Sequence, residues 1–340
     1  MHVLVGDIGG TSTRLARASV IAGRIELSAV RRYASAESPT LAAILRRYLD
    51  ETGITCEVCE VAALAVAGPV YGDRCKTTNL PWELDGRELE RELGLPRVRL
   101  LNDLEAVAWA VPVLEPTQLE TLYAGVAGDA GEPATGNACV IAAGTGLGVA
   151  GCYWDGARHH AFATEAGHAD FAPRTEQQFA LLRHLQRRLR QGRLEGLGTH
   201  VSWERVVSGQ GIVNLYEFLL VWHGASNSPA LQRRLDHDDP AAAIAEAAAA
   251  RTCPLCVEAM DLFVSLFARV IANQALSHMA LGGVYLGGGV TLNNRELLGD
   301  GFIATILDSG RMTPVLERIP VRVIVEPNVA LFGAAEFAVA

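Results

Sequence analysis

The chain has 340 residues, half of them apolar, and its 29 basic and 38 acidic side chains give a formal net charge of -9. This length predicts two domains of ordinary size, and the acidic balance argues against nucleic acid or an anionic membrane as the main partner. The longest apolar region, residues 262–290, is interrupted by Arg269, Asn273 and His278, which indicates a buried helix and strand and not a membrane span. A strand-like run begins at once, so we expect no secretory signal and a cytoplasmic location.

Seven cysteines is an odd number, and without an export signal they are expected to be reduced thiols. Two pairs have the C-x-x-C spacing that zinc ligands use, Cys56 with Cys59 and Cys253 with Cys256. Each pair lies in or beside a segment patterned as a helix or a strand, and no knuckle glycines flank it. We therefore interpret these cysteines as small buried apolar residues and expect no structural zinc.

The first motif is an apolar run that breaks on glycines around one aspartate, Gly6-Asp7-Ile8-Gly9-Gly10-Thr11, and then resumes. The pattern predicts strand, tight turn, strand, whereas the two best-known phosphate-binding glycine loops run from a strand into a helix. Lys76 is the only lysine, which excludes a phosphate-gripping lysine on this turn. What remains is a turn whose backbone N–H groups form a nest for anionic oxygens.

Asp7 within this turn would repel a phosphate group unless a cation such as Mg²⁺ stood between them. One interpretation is therefore a turn that binds phosphate together with Mg²⁺. The other is an ordinary glycine-rich hairpin with a turn-forming aspartate. This stretch by itself leaves both open.

The following segments alternate in the manner of an α/β protein. In chain order they are a helix from Ser38-Pro39 to Gly53, a buried strand over 61–67 ended by Gly68-Pro69, a helix from Asp85 to Leu93, and a strand over 98–101. Asn102-Asp103 come next, where the strand gives way to an apolar helix over 104–111. Open α/β sheets place their chemistry at such junctions, although the pair is also a good helix N-cap.

The opening pattern then returns in altered form as Ala142-Ala143-Gly144-Thr145-Gly146-Leu147, with Ala143 near the place of the aspartate. Again the pattern predicts a strand, a glycine-threonine turn and a strand. Two glycine hairpins that each begin a domain-sized block indicate an internal duplication. We infer two lobes that face each other across a cleft.

The second block continues with a turn-like segment at Glu165-Ala166-Gly167-His168 and several predicted helices. The first of those helices is rich in arginine and spans 175–190. The second is capped by Ser202, contains Glu204 and ends at Ser208-Gly209. Further helices are predicted over 211–221, 241–250 and 257–279. The buried strand 284–286 leads into Gly287-Gly288-Gly289, which permits close approach of a flat ligand or merely turns the chain. A strand over 321–325 and a helix over 330–339 close the chain, and the helix is expected to pack on the first lobe.

Taken together, these motifs resemble the bacterial glucokinase family of the hexokinase and actin-like ATPase superfamily. The matching motifs are Gly6-Asp7-Ile8-Gly9-Gly10-Thr11, Asn102-Asp103, Gly144-Thr145-Gly146-Leu147-Gly148, Glu165-Ala166-Gly167-His168, Glu204-Arg205-Val206-Val207-Ser208-Gly209 and Gly287-Gly288-Gly289. They occur in the family's order over nearly the whole chain. Related kinases with a cysteine-rich zinc loop are a poorer match, because no cysteine occurs between Cys152 and Cys253.

The resemblance implies a two-lobed α/β fold, the actin-like ATPase or ribonuclease H-like fold, with a cleft between a small and a large domain. We place the small domain at residues 1–112, completed by 320–340, and the large domain at 113–319. It also implies transfer of the γ-phosphoryl group of ATP to the 6-hydroxyl of glucose, with Mg²⁺, in the cytoplasm. A homodimer is expected at the level of the family.

The resemblance also implies roles for single residues. Asp103 would be the general base that takes the proton from the attacking sugar hydroxyl. The expected sugar-binding residues are Asn102, Asp103, Glu165, His168 and Glu204. Asp7 would orient Mg²⁺ through water. The expected nucleotide-binding residues are Gly6, Asp7, Ile8, Gly9, Gly10, Thr11, Gly144, Thr145, Gly146, Gly287, Gly288 and Gly289; Asn79 and Trp82 are further candidates to line the sugar site.

Other functions stay open at this stage. The same fold serves kinases for other hexoses or N-acylated amino sugars, and a non-catalytic sugar sensor is a third possibility. Taken singly, His168 is equally a loop histidine, and Glu204 a glutamate that favours the first turn of a helix.

Overall fold

The computed structural model describes residues 1–55, 59–77, 80–126, 135–194 and 198–340. The strands are β1 (His2–Ile8), β2 (Ser12–Ile21), β3 (Arg24–Ala34), β4 (Val61–Val66), β5 (Arg74–Lys76), β6 (Glu83–Asp85), β7 (Val98–Asn102), β8 (Leu119–Tyr123), β9 (Ala138–Ala143), β10 (Leu147–Trp154), β11 (His159–Thr164), β12 (Gly283–Gly287) and β13 (Val321–Ile324). The helices are α1 (Leu41–Thr52), α2 (Gly86–Leu93), α3 (Asp103–Ala110), α4 (Glu176–Arg190), α5 (Gly209–His223), α6 (Pro229–His237), α7 (Pro240–Ala249), α8 (Pro254–His278), α9 (Gly289–Asn293), α10 (Asp300–Leu307), α11 (Thr313–Leu316) and α12 (Val329–Val339). Cys56 and Asn79 lie outside the described residues.

A five-stranded sheet with the strand order β3-β2-β1-β4-β7 forms the first core. β1, β4 and β7 are parallel, whereas β2 is antiparallel to both β1 and β3. Every residue of β4 is buried, as expected for a parallel strand that is covered on both faces. Because the parallel strands end at the same edge, Asp7 of β1 and Asn102 of β7 lie at one edge of the sheet.

The second large sheet has the strand order β11-β10-β9-β12-β13-β8. Its order β11-β10-β9-β12-β13 corresponds strand by strand to β3-β2-β1-β4-β7 of the first sheet. β12 is parallel to both β9 and β13, as β4 is to β1 and β7. The topology therefore agrees with the duplication inferred from the two glycine hairpins.

The chain forms two compact units. Unit 1 comprises Met1–Glu120, Ala150–Ala163 and Ile324–Ala340, and unit 2 comprises Thr121–Val149 and Thr164–Val323. The domain boundaries placed from the sequence, 1–112 with 320–340 and 113–319, stay a prediction. Within the part of the chain that the structure describes, no helix is both long and apolar enough to cross a membrane.

Two of the predicted helix boundaries are wrong. The N-cap of α1 is Thr40, whose side chain accepts the Ala43 N–H, while Ser38 only ends a short 3₁₀ turn. Likewise, Glu204 lies in a single 3₁₀ turn (Trp203–Arg205), and Ser208 begins α5 as its N-cap instead of ending a helix. Val206 and Val207 separate the two elements and are fully buried; β-branched residues are poor at continuing a helix.

The closing helix α12 packs in unit 1, as the sequence predicts. Its Leu331, Ala334 and Ala335 join one core with Val3 and Val5 of β1. Gly333 lies against α3, where a Cβ would overlap the carbonyl oxygen of Ala106 and approach the Ala110 nitrogen to 3.0 Å. The missing side chain therefore sets how closely α12 supports α3, the helix that begins at Asp103.

Replacing Gly333 by alanine is expected to lower the free energy of unfolding by about 1–3 kcal/mol, because backbone atoms must move to admit the methyl group. Gly301 in α10 is a matched control, since a Cβ there meets no atom within 4 Å, and G301A should be neutral or stabilise by up to about 1 kcal/mol. Chemical denaturation of both variants checks this. Equal stability of G333A and the unsubstituted chain would contradict the packing described here.

Candidate active site

The first part of the site is the edge of the five-stranded sheet, where Asp7 faces Arg14 across the β1–β2 pair. The Arg14 Nη2 atom lies 2.9 Å from the Asp7 Oδ2 atom, and Arg14 also donates to the carbonyl oxygen of Pro327. Burial raises the pKa of Asp7 because the carboxylate loses water, and the Arg14 guanidinium offsets part of that rise. Arg14 is thus the cation that makes a buried carboxylate tolerable here.

The glycine turn between β1 and β2 is held by Ser35, a residue that the sequence analysis missed. The Ser35 N–H donates to the Thr11 carbonyl oxygen at 3.1 Å, and the Ser35 hydroxyl donates to the Gly9 carbonyl oxygen at 2.8 Å. Ser35 is fully buried and also pairs with the Thr13 hydroxyl at 3.0 Å. No motif in the sequence marks it, because it comes to the turn from the end of β3.

Two residues of the predicted phosphate turn lie inside β1 and pack in the core. A Cβ on Gly6 would lie 2.8–2.9 Å from side-chain atoms of Leu64, Ile8 and Leu15, so its smallness serves packing. Ile8 is itself 1% exposed. Gly9, Gly10 and Thr11 form the turn proper, in which the Gly9 N–H donates to the Ser12 carbonyl oxygen at 3.1 Å.

Asn102 and Asp103 begin α3 at the same sheet edge. The Asn102 Oδ1 atom accepts the N–H groups of Leu104 and Glu105 at 3.0 and 3.1 Å, so Asn102 is the helix N-cap. Its amide nitrogen donates to the Gly68 carbonyl oxygen at 3.2 Å. The cap interpretation is therefore correct for Asn102.

Asp103 is oriented by its own helix, since its Oδ1 atom accepts the Leu104 N–H at 2.9 Å. Burial raises the pKa of the Asp103 carboxyl to about 6, and the negative charge of Asp7 adds to that rise. Hydrogen bonds from backbone N–H groups and from the Asn102 side chain lower the pKa of Asp103, but they offset only part of the rise. The sequence analysis treated Asp103 as a carboxylate with an ordinary pKa; burial makes it a stronger base than that.

In unit 2, Glu204 meets the second glycine turn. Its Oε2 atom accepts the Leu147 N–H at 3.0 Å, and its Oε1 atom lies 3.9 Å from the His168 Nδ1 atom. The His168 Nε2 atom in turn lies 3.8 Å from a carboxylate oxygen of Glu165. The three predicted sugar ligands of this unit are therefore brought together beside the second turn.

The segment that carries His168 is fixed by two further residues that the sequence analysis did not select. The His200 ring donates from Nε2 to the His168 carbonyl oxygen at 2.8 Å, and its Nδ1 atom lies 2.9 Å from the Asp170 carboxylate. Gly167 lies so close to Leu147 that a Cβ would overlap the carbonyl oxygen of that residue. This packing presses the turn at 165–168 onto the start of β10.

The triple glycine lies beside the second turn as well. A Cβ on Gly144 would lie 3.9 Å from the Gly289 nitrogen. Gly288 has a φ of 87°, a conformation that favours glycine, and a Cβ on it would overlap the backbone of Ala143. Gly288 is thus required for close approach of two backbones, and Gly289 begins α9.

The cysteine pair at the start of α8 has a structural role. The Cys253 sulfur accepts the Cys256 N–H at 3.3 Å as the N-cap of this helix. Among residues 1–55, 59–77, 80–126, 135–194 and 198–340, no group of three or more His, Cys, Asp and Glu side chains is arranged to hold a metal ion.

Comparisons with known proteins bear on the whole chain. The family model described as Glucokinase matches residues 4–340. A glucokinase from Nostoc punctiforme is 36% identical over 351 residues, which cover 98% of this chain and 97% of that protein. The crystal structure of a glucokinase from an Antarctic psychrotroph has a TM-score of 0.82 and 28% identity, over 99% of this chain and 98% of that one.

A more distant structure shares the fold. It is a ROK family glucokinase from Streptomyces griseus in complex with glucose and AMPPNP, with a TM-score of 0.61 and 21% identity over 99% of both chains. The predicted fold class is confirmed: the chain has the two-domain α/β fold of the actin-like ATPases.

The Asp103 carboxyl is expected to titrate near pH 6, about two units above an exposed aspartate. Asp7→Asn should lower the pKa of Asp103, because removing a nearby negative charge favours the ionised form. Asp50→Asn, an exposed site in α1, is the matched control. Carboxyl ¹³C NMR over pH 3–8 measures the titration of Asp103 in the unsubstituted chain and in the two variants. An Asp103 pKa unchanged by Asp7→Asn would contradict the proximity of the two charges.

Proposed function

The chain belongs to the glucokinase family, and on that premise we propose that it transfers the γ-phosphoryl group of ATP to the 6-hydroxyl of D-glucose, giving glucose 6-phosphate and ADP. The observation that carries the proposal is the Asp103 carboxyl, partly buried at the sheet edge with a pKa raised to about 6. A general base works best when its pKa lies near the operating pH.

In this mechanism Asp103 accepts the proton of the glucose 6-hydroxyl as that oxygen bonds to the γ-phosphorus. An alcohol is a far weaker acid than a carboxylic acid. The proton therefore moves late, when bonding of the oxygen to phosphorus has lowered the pKa of the hydroxyl group. Because the Leu104 N–H holds Oδ1, we assign Oδ2 to the sugar. The O–H bond of the sugar breaks, the bond from its oxygen to the γ-phosphorus forms, and the bond from the γ-phosphorus to the bridging oxygen breaks, with ADP as the leaving group. The proton resides on Asp103 until solvent takes it.

The proposed sugar ligands besides Asp103 are Asn102, Glu165, His168 and Glu204. An asparagine amide can both donate and accept hydrogen bonds, and carboxylates accept paired hydrogen bonds from adjacent hydroxyls. Glu204 is 28% exposed at its side chain, which leaves Oε1 accessible to a ligand. Trp82 is 4% exposed and belongs to the core, so packing accounts for it.

For the nucleotide, we propose that the phosphates bind the backbone N–H groups of the two glycine turns. The N–H groups of Gly9 and Gly144 donate within their own turns, and that of Leu147 donates to Glu204. This leaves the task to Gly10 and Thr11 in the first turn and to Thr145 and Gly146 in the second. The adenosine is placed along Gly287, Gly288 and Gly289.

Asp7 is the proposed holder of Mg²⁺ through water. The donor set fits, since Mg²⁺ is usually held by one or two carboxylates together with substrate phosphates and water. When bound, the ion would supply positive charge beside the phosphates. Arg14 orients the Asp7 carboxylate from the other side.

The remaining expectations are part of the same proposal. They are a cytoplasmic location, a homodimer, and a small domain of residues 1–112 with 320–340 beside a large domain of residues 113–319.

Asp103→Asn is expected to reduce kcat by roughly 10²–10⁴-fold, because the amide cannot accept the proton. The affinity for glucose should change little, since asparagine keeps the shape and its amide N–H can donate to the hydroxyl oxygen in place of accepting from it. Glu105→Gln removes a carboxylate from the same first turn of α3 and is the matched control, expected to retain turnover. A coupled assay of ADP formation and glucose titration calorimetry measure the two quantities; turnover of Asp103→Asn at the unsubstituted rate would overturn the base assignment.

The pH dependence follows from the same group. In the free enzyme kcat/KM should fall as the pH drops below about 6, because Asp103 then carries a proton and cannot accept another. Initial rates at low substrate concentrations over pH 4.5–8 would show this limb. A profile flat down to pH 4.5 would contradict the raised pKa of the base.

Ser35→Ala is expected to raise the KM for ATP by roughly 2–10-fold, the effect of losing one buried hydrogen bond. The bond lost is the one from the Ser35 hydroxyl to the Gly9 carbonyl oxygen, which holds the first glycine turn. The kcat should change less. Ser38→Ala, in the same connection between β3 and α1, serves as the control. Steady-state kinetics with ATP varied at saturating glucose measures the effect, and an equal KM in both variants would contradict the role given to Ser35.

A further inference from the structure

The two carboxylate oxygens of Glu204 face different parts of unit 2. Oε2 accepts the Leu147 N–H at 3.0 Å, at the end of the second glycine turn. Oε1 lies 3.9 Å from the His168 ring. A single side chain therefore joins the nucleotide turn to the proposed sugar ligands.

The segment that carries Glu204 holds the turn at its other end too. The Gly209 N–H donates to the Gly144 carbonyl oxygen at 2.8 Å. Between the two contacts, the Ser208 hydroxyl donates to the Glu204 carbonyl oxygen at 2.8 Å and accepts the Gly211 N–H at 2.9 Å. Residues 204–209 thus clasp residues 144–147 at both ends, so that a shift of one segment is transmitted to the other.

Gly146 is the point at which the turn and the carboxylate are closest. A Cβ on Gly146 would lie 2.5 Å from the Glu204 Oε2 atom and 3.4 Å from its Cδ atom, and no other residue is among its nearest neighbours. Oε2 is the far end of a flexible side chain. An alanine at this position would therefore displace the carboxylate and leave the backbone in place.

Gly301, in α10 of the same unit, offers a contrast. A Cβ there meets no atom within 4 Å. Neither glycine is among those with a positive φ, so alanine fits the backbone conformation at both positions. The two substitutions differ in whether Glu204 has to move.

We infer that Gly146 is a positioning residue for the sugar: the space left by its missing side chain seats the Glu204 carboxylate, and this contact couples sugar binding to the nucleotide turn. The inference rests on the proposed function, since it requires that glucose bind Glu204. Coupling of this kind is reciprocal. The factor by which nucleotide changes the affinity for glucose equals the factor by which glucose changes the affinity for nucleotide.

The test compares the affinity for glucose of the unsubstituted chain, Gly146→Ala and Gly301→Ala, measured by titration calorimetry without nucleotide. Gly146→Ala is expected to bind glucose roughly 10–100-fold more weakly, the effect of misplacing one hydrogen bond to a charged group. Gly301→Ala should bind glucose as the unsubstituted chain does. Circular dichroism melting establishes that both variants are folded.

A second background separates a direct effect from an indirect one. In a Glu204→Ala chain, adding Gly146→Ala should change the affinity for glucose no further, because the glycine acts only through that carboxylate. Repeating the titrations with saturating AMPPNP measures the coupling, and the ratio of glucose affinities with and without AMPPNP should move towards one in Gly146→Ala.

The outcomes are distinct. Equal glucose affinities of Gly146→Ala and the unsubstituted chain, equal losses in Gly146→Ala and Gly301→Ala, or additive losses in the Glu204→Ala background would each overturn the inference while leaving the proposed function standing. Failure of the unsubstituted chain to bind glucose at all would contradict the proposed function itself.

Discussion

The partial burial of two carboxylates at one edge of the five-stranded sheet is the constraint on which the site in unit 1 depends. Asp7 and Asp103 lie at the carboxyl ends of β1 and β7, and the negative charge of Asp7 raises the pKa of Asp103. Two such charges repel and lose water, which costs free energy unless a cation or hydrogen-bond donors compensate. The Arg14 guanidinium compensates Asp7, and a backbone N–H in the first turn of α3 compensates Asp103. The remaining, uncompensated cost raises the pKa of both carboxyl groups, which is the basis for the proposed base at Asp103 and the proposed cation at Asp7.

The two glycine hairpins share a backbone pattern, but the carboxylates beside them come from different parts of the chain. In unit 1 the carboxylate beside the turn comes from the hairpin itself, at Asp7. In unit 2 the position that corresponds to Asp7 is near Ala143, and the backbone of Ala143 lies against Gly288. The carboxylate beside this turn belongs to Glu204, which is distant in the sequence. The first arrangement fits the proposed cation beside phosphate, whereas the second joins the turn to the proposed sugar ligands. The two sheets share a strand order, but the groups at their edges differ.

The sequence was a good guide to elements and motifs and a poor one to the contacts between them. Strands around glycine turns, the cap at Asp85 and the helix at Asn102-Asp103 follow from local patterns that tertiary structure does not overrule. Ser35 and His200 could not be found in this way, because each acts on a segment more than twenty residues away. The raised pKa of Asp103 was also missed, since burial depends on packing. The helix assigned to Glu204 failed for a local reason, two buried valines that interrupt it.

The most direct test of the account is a phosphorylation assay with ATP and Mg²⁺ on glucose, mannose, fructose, galactose and N-acetylglucosamine, with the product identified by ³¹P NMR and Mg²⁺ omitted in a control. The account predicts Mg²⁺-dependent formation of glucose 6-phosphate with a higher kcat/KM for glucose than for any other sugar, because a missing or inverted hydroxyl leaves buried polar groups unpaired. A higher kcat/KM for the N-acetylated sugar would contradict the assignment of glucose. Binding of glucose without turnover would contradict the assignment of a kinase and favour a sugar sensor.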